Sequence, residues 1–189
     1  MRKLVYYIAV TIDGYIAGPG GEYDFFPVPD DMATWNPYPE SIPVHVRELV
    51  GIPVDTPNKS WDTVLMGRRT YEPGLVEGVR SPYAHLKQYV FSSTLDPADF
   101  PEVEIVATDP VELVRELKLR NGLDIWLCGG AELAGALIDE IDELVIKSYP
   151  VLAGSGIPLL AGQFRPTLFT PRRRQEFSNG TQVTWFDRG

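Results

Sequence analysis

Between residues 61 and 149 the chain alternates short β-prone runs with helical segments, and this alternation constrains the fold more than any other feature. Thr63–Met66, Tyr89–Phe91, Val103–Ala107, Asp124–Cys128 and Glu143–Tyr149 read as strands. A helix starts at Arg69–Glu72, a second spans Pro110–Arg120, and a third spans Ala131–Ile138. Asp109 and Pro110 supply the N-cap and first position of the second, which turns Val111, Val114 and Leu117 inward, with Leu113 as a further candidate. The uninterrupted run Leu4–Val10 suits a central strand covered on both faces, a better reading than a signal peptide because Thr11-Ile12-Asp13-Gly14 ends it at once. Two late strands follow, Thr167–Pro171 and Thr181–Phe186. The expected result is one α/β domain over residues 1–189: a mostly parallel sheet, right-handed crossovers and helices on both faces.

Residues 18–60 break the rhythm. They carry eight of the seventeen prolines and read as loop, apart from a short helix over Val44–Val50. Phe25, Phe26 and Trp35 in this segment either pack it onto the core or line a pocket.

The formal net charge of −9 argues against general binding to nucleic acid or anionic membranes. No apolar run approaches the length of a membrane span, and a cytoplasmic location is expected. A single cysteine, Cys128, excludes an internal disulfide and a cysteine-based zinc site, and two histidines leave no evident metal cluster.

Ligands of open α/β sheets bind beyond the carboxyl ends of the strands, so the residues just past each strand carry the functional argument. Gly67-Arg68-Arg69-Thr70 joins close backbone approach, two guanidinium groups and a hydroxyl to a helix N-terminus, a combination suited to phosphate. A plain strand-to-helix turn explains it about equally well. Ser92-Ser93-Thr94 offers three hydroxyls, and alone would be an ordinary serine-rich turn. Gly129-Gly130-Ala131-Glu132-Leu133 leaves room for a pyrophosphate against a helix start, although it matches neither the Rossmann nor the Walker pattern. Three phosphate-compatible strand ends in one chain make the ligand-binding reading the better one.

Taken in order, these motifs resemble the dihydrofolate-reductase-like superfamily. Gly67-Arg68-Arg69-Thr70-Tyr71-Glu72 is similar to its GR-x-T-[YW]-E element, and Ser92-Ser93 and Gly129-Gly130-Ala131-Glu132 to its second and third cofactor elements. Thr11-Ile12-Asp13-Gly14-Tyr15-Ile16-Ala17 and the stretch Ile141–Leu144 through Pro150–Leu159 resemble the branch that contains the RibD C-terminal reductase domain of riboflavin biosynthesis. The resemblance implies an eight-stranded, three-layer, mostly parallel sheet with an antiparallel last strand. It implies NADPH across two helix N-termini, with the nicotinamide near Ala9 and Val10. Arg68, Ser92 and Ser93 would sit by the 2′-phosphate, Thr70 would face the pyrophosphate, and Gly129–Leu133 would cap it. A cis Gly129–Gly130 bond would carry over from dihydrofolate reductases, and a side chain at Gly130 would obstruct the cofactor and strain the backbone. Glu40, five residues after Trp35, is a weak match to the pterin-binding carboxylate of those enzymes.

The leading expectation is a reductase delivering hydride from NADPH to a C=N or C=O of a small planar molecule. Asp13 is the first candidate proton donor, with a pKa raised by burial; the competing role is a turn residue, and water is a further proton source. A protein that binds NADPH without turnover, or one that binds another nucleotide, would carry the same phosphate motifs. The apolar stretch Val145–Leu160 with its Gly/Pro-rich loop suggests a two-fold homodimer, as related reductases commonly pair there.

Overall fold

The computed structural model describes residues 1–189. In chain order its elements are β1 (Leu4–Thr11), β2 (Tyr15–Ala17), α1 (Asp30–Ala33), α2 (Val44–Arg47), β3 (Trp61–Gly67), α3 (Arg68–Val76), β4 (Lys87–Phe91), β5 (Glu104–Val106), α4 (Pro110–Leu119), β6 (Asp124–Gly129), α5 (Ala131–Ala136), β7 (Glu143–Tyr149), β8 (Ile157–Pro158), β9 (Phe169–Glu176) and β10 (Gln182–Arg188). Eight strands form one sheet in the order β5-β4-β3-β6-β1-β7-β10-β9. The first six are mutually parallel, and β10 runs antiparallel to both of its neighbours. This is the α/β sheet with an antiparallel last strand that the sequence implied. The apolar run at the N-terminus becomes β1, in the interior of the sheet, because both faces of its backbone find cover.

The two faces differ in composition. One is mostly aliphatic: Leu4, Leu65, Ile125, Leu127, Val114, Leu117, Leu133 and Leu137 close it under α4 and α5. Asp109 caps α4 as expected, its carboxylate accepting the Val111 N–H at 2.8 Å. The other face holds Tyr7, Trp61, Tyr71, Trp126, Tyr149 and Trp185 and is covered by α3 and by the proline-rich segment 18–60. Phe26, Met32, Trp35 and Tyr38 from that segment pack onto it, and Tyr38, Trp61 and Trp126 stack in sequence at centroid distances of 4.4 and 5.3 Å.

The segment 18–60 is more ordered than its composition suggests. Besides the expected turn over Val44–Val50, it forms α1 and a 3-10 turn at Pro39–Ser41. Buried Glu40 accepts the backbone N–H groups of Lys59 and Ser60, and buried Arg47 donates to the carbonyls of Pro39, Ile42 and Val54. Glu40 is therefore an anchor of the segment, satisfying backbone donors that would otherwise be stranded. The far end of the segment is tied to the β9–β10 turn, where Ser178 donates through N and Oγ to Asp31 at 2.9 Å and Asn179 Nδ2 donates to the Pro27 carbonyl.

Several boundaries differ from the sequence reading. β9 covers Phe169–Glu176 rather than ending at Pro171, and β10 runs to Arg188. The arginines of β9 hide an edge strand from apolar periodicity, and they guard its unpaired edge. The short ribbon β2–β8 was not anticipated; it pins the loop after β7 against the β1–β2 turn.

Candidate functional site

The carboxyl ends of β3 and β6 meet, and both run straight into helices. Gly67 is the N-cap of α3 and Gly130 the N-cap of α5, and neither helix has a side-chain cap. First-turn N–H groups are consequently free for a ligand. A Cβ at Gly67 would lie 3.4 Å from the Gly130 nitrogen, and a Cβ at Gly129 or Gly130 would lie 3.5 Å from Thr70 Oγ1. Two helix starts, one hydroxyl and three glycines thus converge on a single spot. The Gly129–Gly130 peptide is cis, as the resemblance implied. The positive φ falls on Gly129, at 143°, whereas Gly130 has φ −101°. The expected backbone constraint therefore belongs to Gly129, and Gly130 matters for space.

A second cluster lies at the end of β4. Arg68 is exposed; its Nη1 donates to Thr94 Oγ1 at 3.3 Å and its Nε lies 3.5 Å from Glu72. Ser92 Oγ accepts from the N–H groups of Thr94 and Leu95, which fixes the turn, and Ser93 is exposed beside it. Arg69 makes no ion pair and stands free at the start of α3. Thr94 joins Arg68 and the serines as a polar group of this cluster. In α5, Ala131 and Leu133 turn their side chains into the core and Glu132 faces outward, so what these three can offer a ligand is backbone N–H.

Ala9 pairs with Lys147 and Val10 with Ser148, just past Ile8, whose side chain lies near Gly129. On the face of β1 that carries Tyr7, the next residue is Ala9, a single methyl. Around it stand Cys128, Tyr149 and Lys147. Burial pushes the Cys128 thiol up to about 12 and raises the phenols of Tyr7, Tyr83 and Tyr149, so all four stay neutral at neutral pH. Lys147 was not singled out by the motifs. Its signal was a charge at an inward position of the run Glu143-Leu144-Val145-Ile146-Lys147-Ser148-Tyr149.

Asp13 does not meet the demands on a buried acid. It is exposed and accepts Thr11 Oγ1–H at 2.6 Å and the N–H groups of Ala153 and Gly154 at 3.1 and 2.7 Å. These donors, the Thr11 hydroxyl first, hold its pKa down at about 2. It is an ionised clasp between the β1–β2 turn and the loop after β7, which corrects the expectation of a raised pKa. A different concavity, of about 350 Å³, is bordered by Val5, Tyr38, Trp61, Asp124 and Glu143. It opens at the amino ends of the strands, away from the helix starts.

Comparisons with known proteins agree with this layout. The model of the RibD C-terminal domain matches residues 2–183. The uncharacterized Bacillus subtilis protein YwjB is 31% identical over 184 residues, 96% of each chain, and the uncharacterized YyaP of the same organism is 29% identical over 84% of this chain and 80% of its own. Among solved structures, a putative riboflavin biosynthesis protein from Shewanella sp. PV-4 superposes with a TM-score of 0.73 at 22% identity, covering 100% of this chain and 99% of that one. A Thermotoga maritima deaminase/reductase, diaminohydroxyphosphoribosylaminopyrimidine deaminase/5-amino-6-(5-phosphoribosylamino)uracil reductase, gives 0.62 at 17% identity, and this chain spans 57% of its length. The sheet order, the paired glycine-rich helix starts and the family match over nearly the whole chain lead to one conclusion: the protein belongs to the RibD C-terminal domain family and has its dihydrofolate-reductase-like α/β fold.

Proposed function

We propose that the protein is an NADPH-dependent reductase that transfers hydride to a C=N or C=O bond of a small planar heterocycle, and that it works in the cytoplasm. The observation that carries this reading is the meeting of two uncapped helix starts at Gly67, Thr70, Gly129 and Gly130. That spot suits a pyrophosphate, because free N–H groups and partial positive charge converge where no side chain intrudes. Arg68, with Ser92, Ser93 and Thr94 beside it, suits the 2′-phosphate that distinguishes NADPH from NADH. Reduced nicotinamide would supply the hydride, and the chain's own part is to bind and orient both reactants. Membership of a family with reductase neighbours supports the same reading.

Affinity measurements test it. Wild type should prefer NADPH to NADH. Arg68→Ala removes a charge-assisted phosphate contact worth about 1.5–3 kcal/mol, so NADPH affinity should fall about tenfold or more while NADH affinity barely moves. Equal losses for both cofactors would overturn the assignment of Arg68.

We also propose that the protein pairs as a homodimer through the region around β7 and the loop after it. Leu152, Phe164 and Leu168 are exposed there at 73%, 96% and 78%. Light scattering at twice the 21.1 kDa chain mass is the expected result.

A further inference from the structure

The fully buried cations of this protein are satisfied, and the half-buried Lys147 is not. Arg2 bonds Asp62, Thr63 and the Leu123 carbonyl; Arg47 bonds three backbone carbonyls; Lys118 lies 2.8 Å from Asp142 and donates to the Glu140 carbonyl. Lys147 has no hydrogen-bond acceptor and no carboxylate within ion-pair distance. Its Nζ stands 4.3 Å above the Tyr7 ring. A ring face attracts the ammonium but does not replace the hydrogen bonds that water would accept from it. The titratable groups facing it are Cys128 on β6, Tyr7 on β1 and Tyr149 on its own strand, and desolvation lowers its pKa. Since those three neighbours stay neutral, the protein supplies no counter-ion.

Its position gives this unpaired charge a use. Lys147 pairs with Ala9, towards the carboxyl end of β1, and Ala9 offers only a methyl on the face of the strand that carries Tyr7. The covering segment brings Phe26 against Tyr149 at 4.8 Å and Met32 Sδ to the Tyr149 hydroxyl, which walls the row on the outer side.

Resting on the reductase reading above, we propose that Lys147 is the substrate-contacting proton donor of the site, and that the substrate is a planar ring whose carbonyl or ring nitrogen gathers negative charge on reduction. As hydride bonds to the ring carbon, the π pair of the C=N or C=O bond moves to the heteroatom. An N–H bond of the Lys147 ammonium breaks and a new N–H or O–H bond forms on the substrate. The neutral amine then regains its proton from water. The ring gains two electrons and the nicotinamide loses two. A lysine with a lowered pKa gives up this proton more readily than an ordinary one. The same ammonium would hold a ring that arrives already anionic, which makes the charge testable without turnover.

The probe is 5-nitrouracil, an acidic ring that is an anion at pH 8 and changes its absorption on ionising, compared with neutral 1,3-dimethyl-5-nitrouracil. Wild type should bind the anion at least about tenfold more tightly than the neutral ring and should lower the pH at which the bound probe ionises. Lys147→Met should erase both effects, and Lys147→Arg should keep the preference for the anion. NADPH affinity, measured on all three proteins, should be unchanged and reports that each is folded. A wild type that binds both rings alike, or a Lys147→Met protein that retains the preference, overturns the proposal. Loss of NADPH binding by wild type itself would instead overturn the reductase reading, whatever the probes do.

Discussion

The two faces of the sheet are built from different materials. Under α4 and α5 the contacts are chiefly Leu, Ile, Val and Ala, and the polar groups there, the hydroxyls of Tyr6 and Tyr89, have partners in the Leu159 carbonyl and Arg120. Under segment 18–60 valines and methionines are joined by seven buried aromatic rings, a thiol and an unpaired ammonium. The first face gains its stability from area and close packing and asks nothing of chemistry. The second accepts the cost of buried titratable groups, as sites that act on ligands commonly do. The contrast fits the proposed placement of the substrate on the aromatic face.

The sharpest way to break this comparison is a truncation on the aliphatic face. Leu127→Ala removes a fully buried side chain from β6 and should cost about 2–5 kcal/mol in chemical denaturation. NADPH affinity of the folded fraction should remain near wild type, although Cys128 and the glycine pair follow directly in sequence. A large loss of affinity at small cost in stability would show that the faces are not separable.

A smaller effect of opposite sign is expected from Lys147→Met. Replacing an unpaired, half-buried cation with an apolar chain of similar length should stabilise the protein by about 0.5–2 kcal/mol at neutral pH. The advantage has a defined pH dependence. The folded-state pKa of Lys147 is lowered, so between it and the ordinary lysine value of roughly 10.4 the unfolded chain binds more protons. Wild-type stability therefore rises relative to the variant as pH climbs through that window, and the gap closes. A gap that stays constant would remove the buried charge from the account.

Asp13→Asn should have the smallest effect. Its carboxylate is ionised and exposed, so the variant should escape the slowing of about 10²–10⁴-fold that follows loss of a general acid. The contribution of the clasp is present above the ordinary carboxylate pKa of 3.8 and is lost as pH falls through about 2. Melting curves of the two proteins should thus converge in strong acid and differ slightly at pH 7. A hydride step slowed a hundredfold would return Asp13 to the chemistry.

Much of the proposed cofactor site was legible in the sequence because its meaning is local. Glycine before a helix, a hydroxyl in its first turn and arginine beside it carry the same physics wherever a strand delivers them, and Gly67–Thr70 and Gly129–Leu133 do meet. The substrate side was illegible for the opposite reason. Glu40 was a weak match to a ligand carboxylate, and its Oε1 in fact holds the N–H groups of Lys59 and Ser60; Lys147 was one charge in a strand, and only the fold shows that no anion faces it. Asp13 is intermediate: its turn was evident, but its clasp reaches 140 residues along the chain to Ala153. Such roles are set by tertiary neighbours, which a motif does not record.

The turn between β9 and β10 invites engineering, since exposed turns with small polar residues are ordinary places for tags and inserted domains. Here that choice would be a poor one for a neutral label and a good one for a reporter. Ser178 and Asn179 grip Asp31 and Pro27, and Phe177 and Trp185 pack on Trp35, so a graft at this turn pulls on the same chain that carries Phe26 and Met32. A fluorophore at Asn179 would sense ligand entry through Pro27 and Asp31, the immediate neighbours of Phe26 and Met32. Random libraries intended to change what the protein accepts gain a second place to mutate.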